Sequence, residues 1–237
     1  MEIKIVFNND VINDSFSNGW GFSCLVDKRI LFDTGEKGEY LLNNMSRLGI
    51  DVANIEAVVI SHDHWDHTGG LSRILELNKG IKVYGCFGFS QGFKEKVKKD
   101  GGMLCEPEGF IKIAEGIYVT EEITGRYKGD YIAEQALVVK TERGVAIVVG
   151  CSHPGVLRII DKVKEKLPDE KIHMILGGFH MMDMNKREIG IIAEKLKSAG
   201  VENVGPAHCT GYDAQVIFQK VYGDKCLSIK AGQIFEV

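Results

Sequence analysis

The sequence predicts a mixed α/β protein in which two β-sheets form the inner layers of an αββα sandwich. Short stretches rich in β-branched and aromatic residues alternate with stretches whose apolar residues recur at helical spacing. This order of strands followed by helices occurs in both halves of the chain, and no Ser/Gly-rich linker or low-complexity segment separates them. We therefore expect a single domain over residues 1–237, with helices covering the outer faces of two facing sheets.

The first half contains five predicted strands and two predicted helices. The strands, each bounded by turn residues, cover residues 2–7, 20–26, 29–32, 57–60 and 82–84. The helices cover residues 40–48 and 71–77, and Gly49 and Gly80 follow them at positions where helices commonly end. Each helix has one apolar side, so we expect both to pack on an outer sheet face.

The second half repeats this order. Strands over residues 136–140 and 145–149 form a predicted hairpin, and a helix over residues 156–167 ends before Pro168. A buried strand (172–176), a helix (186–199) and a closing strand (229–237) complete the half. Residues 85–134 combine a short amphipathic helix around 93–97 with Gly-rich turns, which predicts either a substrate-covering insertion or irregular surface.

Composition and charge exclude several classes of protein. The net charge is −4, and Lys and Arg are scattered evenly, so we expect no nucleic-acid partner. The N-terminal segment alternates like a strand and lacks the apolar stretch of a signal peptide or membrane helix, which predicts a cytoplasmic protein without a membrane partner. The six cysteines are widely dispersed. Cys151 and Cys209 are predicted to pack as small side chains behind a metal site, with a ligand or redox role as the alternative.

The histidines carry the main functional information, because six of the seven follow predicted strands. His62, His64, Asp66 and His67 come directly after the strand at 57–60. Residues two apart in an extended loop point the same way, so His62 and His64 can bind one ion while Asp66 and His67 turn toward a second. We therefore expect two divalent metal ions; zinc is the expected metal, and iron and manganese also suit such ligands.

Two further histidines occupy similar positions downstream. His153 follows the strand at 145–149, and His208 follows a short strand near 203–204. A structural zinc site is closed by four protein ligands that are often cysteines, whereas these candidates are imidazole and carboxylate groups. The pattern therefore favours a catalytic metal site.

The pattern H-x-H-x-D-H after a strand, followed by two later strand-end histidines, resembles the metallo-β-lactamase superfamily over nearly the whole chain. The resemblance implies one metal held by His62, His64 and His153, and a second held by Asp66, His67 and His208. The segment Phe32-Asp33-Thr34-Gly35 resembles an early Asp-containing turn of the superfamily. It implies that Asp33 hydrogen-bonds a metal-bound histidine and fixes the orientation of its ring.

Three segments are most similar to the dihydropteroate-synthase-like branch of that superfamily, which includes 7,8-dihydropterin-6-methyl-4-(β-D-ribofuranosyl)aminobenzene 5′-phosphate synthases. They are residues 150–155, 176–180 and 208–211. One motif departs from the usual pattern: most relatives carry a bridging Asp after the fourth strand, where this chain has Gly-Gly-Phe and His180. His180 is therefore predicted to bind one metal, donate a proton or hold a substrate phosphate. Asp66 and His180 are the predicted catalytic residues.

These residues support four functional hypotheses. The main one is a hydrolase that cleaves a phosphoester, ester or thioester with metal-activated water. The alternative is a dihydropterin-pyrophosphate-dependent synthase, a transferase of pterin cofactor biosynthesis. A di-iron redox protein and a non-catalytic metal-binding protein rank lower; flavodiiron enzymes of this fold carry a carboxylate at the position of His64 and an attached flavin domain, and this chain has neither. The expected substrate is a small molecule, phosphorylated or pterin-like.

The remaining candidates have structural interpretations. His173 lies inside an apolar strand pattern, which indicates a satisfied structural histidine. The methionine-rich stretch at 181–184 is predicted to belong to the core, with an apolar substrate pocket as the alternative. Arg126 and Lys128 are predicted solvated loop charges, with contact to a substrate phosphate or pterin ring as the alternative.

Overall fold

The computed structural model describes residues 1–237 and contains fifteen strands and seven α-helices. The strands are β1 (Glu2–Phe7), β2 (Ser23–Val26), β3 (Ile30–Phe32), β4 (Ala57–Val59), β5 (Lys82–Tyr84), β6 (Met103–Cys105), β7 (Ile111–Ala114), β8 (Ile117–Val119), β9 (Ile123–Tyr127), β10 (Asp130–Glu134), β11 (Leu137–Thr141), β12 (Gly144–Val149), β13 (Ile172–Gly178), β14 (Asn203–Ala207) and β15 (Ile234–Glu236). The helices are α1 (Gly38–Arg47), α2 (Trp65–Thr68), α3 (Leu71–Leu77), α4 (Gln91–Lys99), α5 (Val156–Lys166), α6 (Lys186–Ser198) and α7 (Tyr212–Tyr222).

The first structural unit comprises residues 1–108 and 230–236 and is built on a seven-stranded sheet. The strand order is β15-β1-β2-β3-β4-β5-β6. The pairs from β15 to β3 are antiparallel, and those from β3 to β6 are parallel. Because parallel strands end at a common edge, the residues that follow β3 and β4 emerge together. Those residues are Asp33 and the segment 61–67.

The second structural unit comprises residues 109–229 and 237, and its sheet has six strands in the order β14-β13-β12-β11-β8-β7. Strands β12, β13 and β14 are parallel, so their carboxyl ends also share an edge. His153, His180 and His208 follow these three strands in turn. A separate two-stranded hairpin is formed by β9 and β10.

The core of the second unit explains why the sequence of its strands consists of continuous apolar residues. Every residue of β12 is buried, and Ile147 and Val149 belong to the same apolar cluster as Ile159 of α5, Leu196 of α6 and Phe218 of α7. Each helix contributes one apolar side to this cluster, as expected for amphipathic helices on a sheet. Burying each such side chain contributes about 1.5–3 kcal/mol. This packing fixes the strand ends that carry the histidines.

Most predicted elements occur within one or two residues of their expected bounds, but several expectations need correction. The extended loop expected around His62 to His67 gives way to helix α2, which contains Asp66 and His67. The closing strand expected at 229–237 is limited to β15, and helix α7 was not predicted. Residues 85–134 contain regular structure: α4, edge strand β6 of the first sheet, β7 and β8 of the second, and the β9–β10 hairpin. That this segment covers a substrate stays a prediction. None of the helices combines the length and apolar composition that crossing a membrane requires.

Candidate metal centre

The histidine cluster of the first unit lies in the loop after β4 and in the short helix α2. His62 and His67 are fully buried, Asp66 is 6% exposed, and His64 is half-buried. The ring centroid of His62 lies 4.7 Å from that of His64 and 4.2 Å from that of His67. The Oδ2 atom of Asp66 lies 3.7 Å from the Nε2 atom of His67. Four potential metal ligands of this unit are thereby collected in one place.

Asp33 orients this cluster from the end of β3. Its Oδ2 atom lies 2.6 Å from Nδ1 of His67 and accepts a hydrogen bond from the Ser61 hydroxyl at 2.7 Å. Its Oδ1 atom accepts from the Ser61 backbone N–H at 2.7 Å. The Ser61 hydroxyl is also 2.9 Å from Nδ1 of His62. Both imidazoles are thus held through Nδ1, so Nε2 is the ring nitrogen that each can offer to a metal.

The environment of Asp33 is electrostatically unusual. Complete burial raises the pKa of its carboxyl, although the nearby His67 and the hydrogen bonds from His67 and Ser61 act in the opposite direction. The contact joins residues 34 positions apart and is made entirely inside the protein. Asp33 is therefore a buried orienting group, as the resemblance implied, and its link to a metal ligand stays a prediction.

Glu134 takes the corresponding role in the second unit. It is buried at the end of β10, and its Oε2 atom lies 2.9 Å from Nδ1 of His153 and accepts from the His153 backbone N–H at 2.8 Å. Its Oε1 atom accepts from the backbone N–H groups of Cys151 and Ser152 at 3.0 and 2.7 Å. Burial alone raises the pKa of Glu134, but these contacts with His153 and Ser152 lower it below the ordinary range. The loop after β12 is therefore held around an ionised carboxylate.

His180 lies beside His153, with 4.5 Å between their ring centroids. Tyr127, at the end of β9, meets both rings edge-on at 5.4 and 5.7 Å. A hydrogen bond with Cys209 raises the pKa of His180 against the effect of desolvation, and its Nδ1 atom is buried without a hydrogen-bond partner. Burial raises the pKa of Cys209, but hydrogen bonds with Cys151 and His180 and the nearby charge of His208 lower it well below its ordinary value.

His208 follows β14 and is 4% exposed. Its ligand nitrogen and the sulfur of Cys151 lie within 4.8 Å of each other. Cys151, His153 and His180 form a further group whose ligand atoms are also within 4.8 Å. The second unit therefore brings three strand-end histidines and two thiols, of Cys151 and Cys209, to the carboxyl edge of its sheet.

The backbone is strained at four of these positions. Asp33, Ser152, His180 and His208 have φ angles of 53°, 61°, 52° and 48°, in the left-handed region that L-residues seldom adopt. Each such residue costs on the order of 1–3 kcal/mol and persists where surrounding contacts enforce it. Strain shared by residues at two sheet edges indicates that the positions of these side chains matter more than local stability.

Two pockets of the second unit adjoin these residues. The first lies next to His153 and His180 and is lined mainly by apolar side chains. The second extends toward the exposed Tyr212. Met181 and Met184 line both pockets. Adaptable methionine side chains beside fixed polar groups are typical of a small-molecule site.

Comparison with known proteins shows the family. The sequence pattern of the metallo-β-lactamase superfamily matches residues 23–85. The chain is 30% identical to a 7,8-dihydropterin-6-methyl-4-(β-D-ribofuranosyl)-aminobenzene-5′-phosphate synthase of Methanocaldococcus jannaschii, over 94% of this chain and 92% of that protein. The chain belongs to the metallo-β-lactamase superfamily, in the branch of this synthase.

Other relatives of this superfamily protein also match at full length. An uncharacterized protein of Methanocaldococcus jannaschii is 28% identical over 90% of this chain and 91% of that protein. The crystal structure of Tm1679, described as a metal-dependent hydrolase of the β-lactamase superfamily, superposes with a TM-score of 0.86. It is 29% identical and covers 100% of this chain and 99% of that chain. These matches confirm the predicted α/β fold of the metallo-β-lactamase type.

The structure also gives the positions of the other residues that the sequence singled out in this chain. Arg126 donates to the backbone carbonyl of Gly129 at 2.9 Å, and the ammonium of Lys128 lies 5.1 Å from the Tyr127 ring. His173 is half-buried and pairs with Glu202 at 2.9 Å, away from the strand-end loops. The methionine stretch is divided: Met181 is 1% exposed, whereas Met182 and Met184 are exposed and line the pockets. The core interpretation is therefore wrong for two of its three methionines.

Three residues of the site were not anticipated: Ser61, Tyr127 and Glu134. Glu134 lies in the sequence Ile-Ala-Glu-Gln-Ala-Leu, where a lone carboxylate interrupts an apolar run. Such a residue in a strand predicts a buried and paired charge, because an unpaired buried carboxylate is too costly to retain. Ser61 directly precedes the first histidine. Tyr127 carries no comparable feature in the sequence.

Proposed function

We propose that this chain is a metal-dependent synthase that joins the 6-methylene carbon of a dihydropterin to the nitrogen of an arylamine. The observation that carries the proposal is the 30% identity, over nearly all of both chains, to a protein named as the synthase of a dihydropterin-6-methyl aminobenzene phosphate. The sequence suggested this synthase as the alternative to a hydrolase. It has better support than the main hypothesis, a hydrolase.

The proposed metal ligands are those expected from the sequence. His62, His64 and His153 bind one ion, and Asp66, His67 and His208 bind the second, with Asp33 and Glu134 orienting ring nitrogens. The donor set suits divalent metals, because the imidazoles of His67 and His153 are each held by a buried carboxylate at Nδ1. Zinc ions bound there would stabilise negative charge on phosphate oxygens and acidify water. Imidazole and carboxylate ligands accept iron and manganese as well.

The transfer requires one bond to break and one to form. The bond between the pterin methylene carbon and a pyrophosphate oxygen breaks, the arylamine nitrogen bonds to that carbon, and the nitrogen releases a proton. The apolar pocket beside His153 and His180 can hold a flat ring and exclude water from the carbon. His180 donates a hydrogen bond to the departing phosphate oxygen through Nδ1, which has no hydrogen-bond partner in the protein. Asp66 acts as a metal ligand.

A hydrolase is the second candidate, supported by the full-length similarity to Tm1679, which is described as a metal-dependent hydrolase. The same residues suit this reaction, with water replacing the arylamine as the nucleophile and His180 donating a proton to the leaving group. The two candidates differ in the nucleophile and therefore in the product. A test that offers both nucleophiles at once separates them.

The test uses the full-length protein loaded with zinc, a dihydropterin methyl pyrophosphate and 4-(β-D-ribofuranosyl)aminobenzene 5′-phosphate. Mass spectrometry is expected to show the coupled product with one pyrophosphate released per product, and no coupled product from His62→Ala. The matched control His173→Gln changes a histidine outside the strand-end loops and is expected to retain coupling. If pyrophosphate is released without a coupled product and p-nitrophenyl phosphate esters are cleaved, the synthase proposal is rejected and the hydrolase proposal is supported.

A further inference from the structure

The sulfur of Cys151 lies among the ring nitrogens of three strand-end histidines. It is within 4.8 Å of the ligand nitrogen of His208, and in a second group it is within 4.8 Å of those of His153 and His180. Ligand atoms on one tetrahedral zinc ion are about 3.5 Å apart. The thiol is therefore close enough to share an ion with a histidine on either side after small side-chain adjustments.

The backbone of Cys151 is fixed on both sides of the residue. Its N–H donates to Oε1 of Glu134 at 3.0 Å, and its carbonyl accepts from the thiol of Cys209 at 3.8 Å. The side chain is 3% exposed. This cysteine is thus placed by the same carboxylate that orients His153.

Cys209 is the other buried thiol of this region, and its surroundings differ. Its sulfur faces the carbonyl of Cys151 and lies 2.6 Å from the point where a Cβ atom on Gly178 would be. That position is against the end of β13. Cys209 therefore packs between strand ends beside His180, whereas Cys151 belongs to two groups of candidate ligand atoms and Cys209 belongs to neither.

The loop after β13 contributes His180 and no carboxylate to the candidate ligand groups. Gly178 has no room for a side chain, because a Cβ atom would lie 2.4 Å from the carbonyl oxygen of Gly150. His180, two residues later, is an imidazole, and the one acceptor nitrogen of a neutral ring cannot bind two ions. A thiolate sulfur has several lone pairs and is a strong metal ligand.

We infer that Cys151 supplies a thiolate ligand to the metal centre and bridges the ion held by His153 and the ion held by His208. This inference rests on the metal centre of the proposed function and adds a seventh ligand to it. On metal binding the S–H bond of Cys151 breaks, its proton passes to solvent and the sulfur binds the metal. A sulfur ligand favours zinc, iron or cobalt over magnesium and manganese.

The test is cobalt substitution of the full-length protein after removal of metal by a chelator. Thiolate-bound Co²⁺ absorbs in the near ultraviolet through sulfur-to-metal charge transfer, whereas cobalt bound only by nitrogen and oxygen does not. We expect this band with two cobalt ions per wild-type chain. Cys151→Ser is expected to lose the band, and the matched variant Cys209→Ser is expected to keep it. Cys151→Asp replaces the thiol by a carboxylate that can also bridge two ions, and it is expected to bind two ions without the band.

The outcomes separate this inference from the proposed function. Wild-type protein that binds two cobalt ions without the band overturns the role of Cys151 and leaves the metal-dependent synthase standing. A band that survives in Cys151→Ser but is lost in Cys209→Ser also overturns it. Wild-type protein that binds no cobalt overturns both proposals. If Cys151→Ser does not fold, as judged by circular dichroism, Cys209→Ser decides the question: a band that is kept supports Cys151 as the ligand, and a band that is lost overturns its role.

Discussion

Replacing Glu134 by Gln tests whether a buried carboxylate organises the second unit's half of the site. The wild-type carboxylate accepts four hydrogen bonds, two at each oxygen, from three backbone N–H groups and the His153 ring. Gln has nearly the same shape, but one oxygen becomes an NH₂ group. On one side this group meets the backbone N–H groups of Cys151 and Ser152, and on the other it meets the backbone N–H of His153, whose ring can change tautomer. At about 1–3 kcal/mol for each unsatisfied buried group, Glu134→Gln is expected to lower the free energy of unfolding by about 1–6 kcal/mol.

The same substitution is expected to weaken metal binding through the tautomer of His153. When the NH₂ group takes the position opposite Nδ1, it favours an imidazole that accepts at Nδ1 and carries its proton on Nε2, the nitrogen that a metal would need. Loss of such an orienting partner typically costs 10–100-fold in metal affinity. Urea unfolding of the metal-free protein and competition with a metal chelator measure the two effects separately.

Glu202→Gln is the matched control, because Glu202 pairs with His173 at the same distance of 2.9 Å in the same unit. Its side chain is 34% exposed, so the pair is screened by solvent and is worth at most about 1 kcal/mol. Equal losses of stability and unchanged metal affinity in both variants would refute the reasoning. The pKa of Glu134 is lowered in the folded state, so its contribution is present above the ordinary value of 4.5 and lost as pH falls through the folded pKa. The difference between wild type and Glu134→Gln should therefore shrink in acid.

Three further outcomes are expected. Gly178→Ala should destabilise the protein by about 1–3 kcal/mol or more, because the new Cβ atom meets the Gly150 carbonyl and the Cys209 sulfur. Gly190→Ala, in open space within α6, should instead stabilise it by up to about 1 kcal/mol. Equal urea midpoints of the two variants would contradict this. Burial raises the pKa of Cys226 from 9.0 to about 11. Alkylation of Cys226 at pH 8, measured by peptide mass spectrometry, should therefore be about 100-fold slower in the folded protein than in the unfolded chain, and equal rates would count against the shift. Chelation should lower the Tm, since a bound ligand at about 1,000 times its Kd adds about 4 kcal/mol, and an unchanged Tm would argue against a metal bound by the folded chain.

The candidate ligands could be found from the sequence because the information about them is local. His62 to His67 occupy six consecutive positions directly after an apolar strand, and His153 and His208 each follow another. Strand ends were visible because β4 and β12 are continuous apolar runs. The association of Asp33 with a histidine came from the resemblance alone, since nothing local links residues 34 positions apart.

The features that were missed depend on long-range register or on a weak pattern. Glu134 reaches His153 because the β9–β10 hairpin and β12 bring together residues 19 positions apart, which spacing along the chain does not predict. Helix α7 buries Ala214, Phe218 and Tyr222 at four-residue spacing, a pattern present in the sequence but interrupted by polar neighbours. Near the closing strand, Gly232 adopts a φ of 98°, and its N–H donates a hydrogen bond to the carbonyl of Ile5. Regular pairing with β1 therefore begins only at β15.

The β9–β10 hairpin has a consequence for how this site can diversify. Its register pairs Tyr127 with Asp130 at the closed end and Ile123 with Glu134 at the open end, around a two-residue turn of Lys128 and Gly129 that both have positive φ. Changes in turn length alter what lies beyond Tyr127 but leave the five-pair ladder that positions Glu134 unchanged. Libraries that randomise or lengthen this turn can therefore vary the residues near Tyr127 while the contact between Glu134 and His153 is kept.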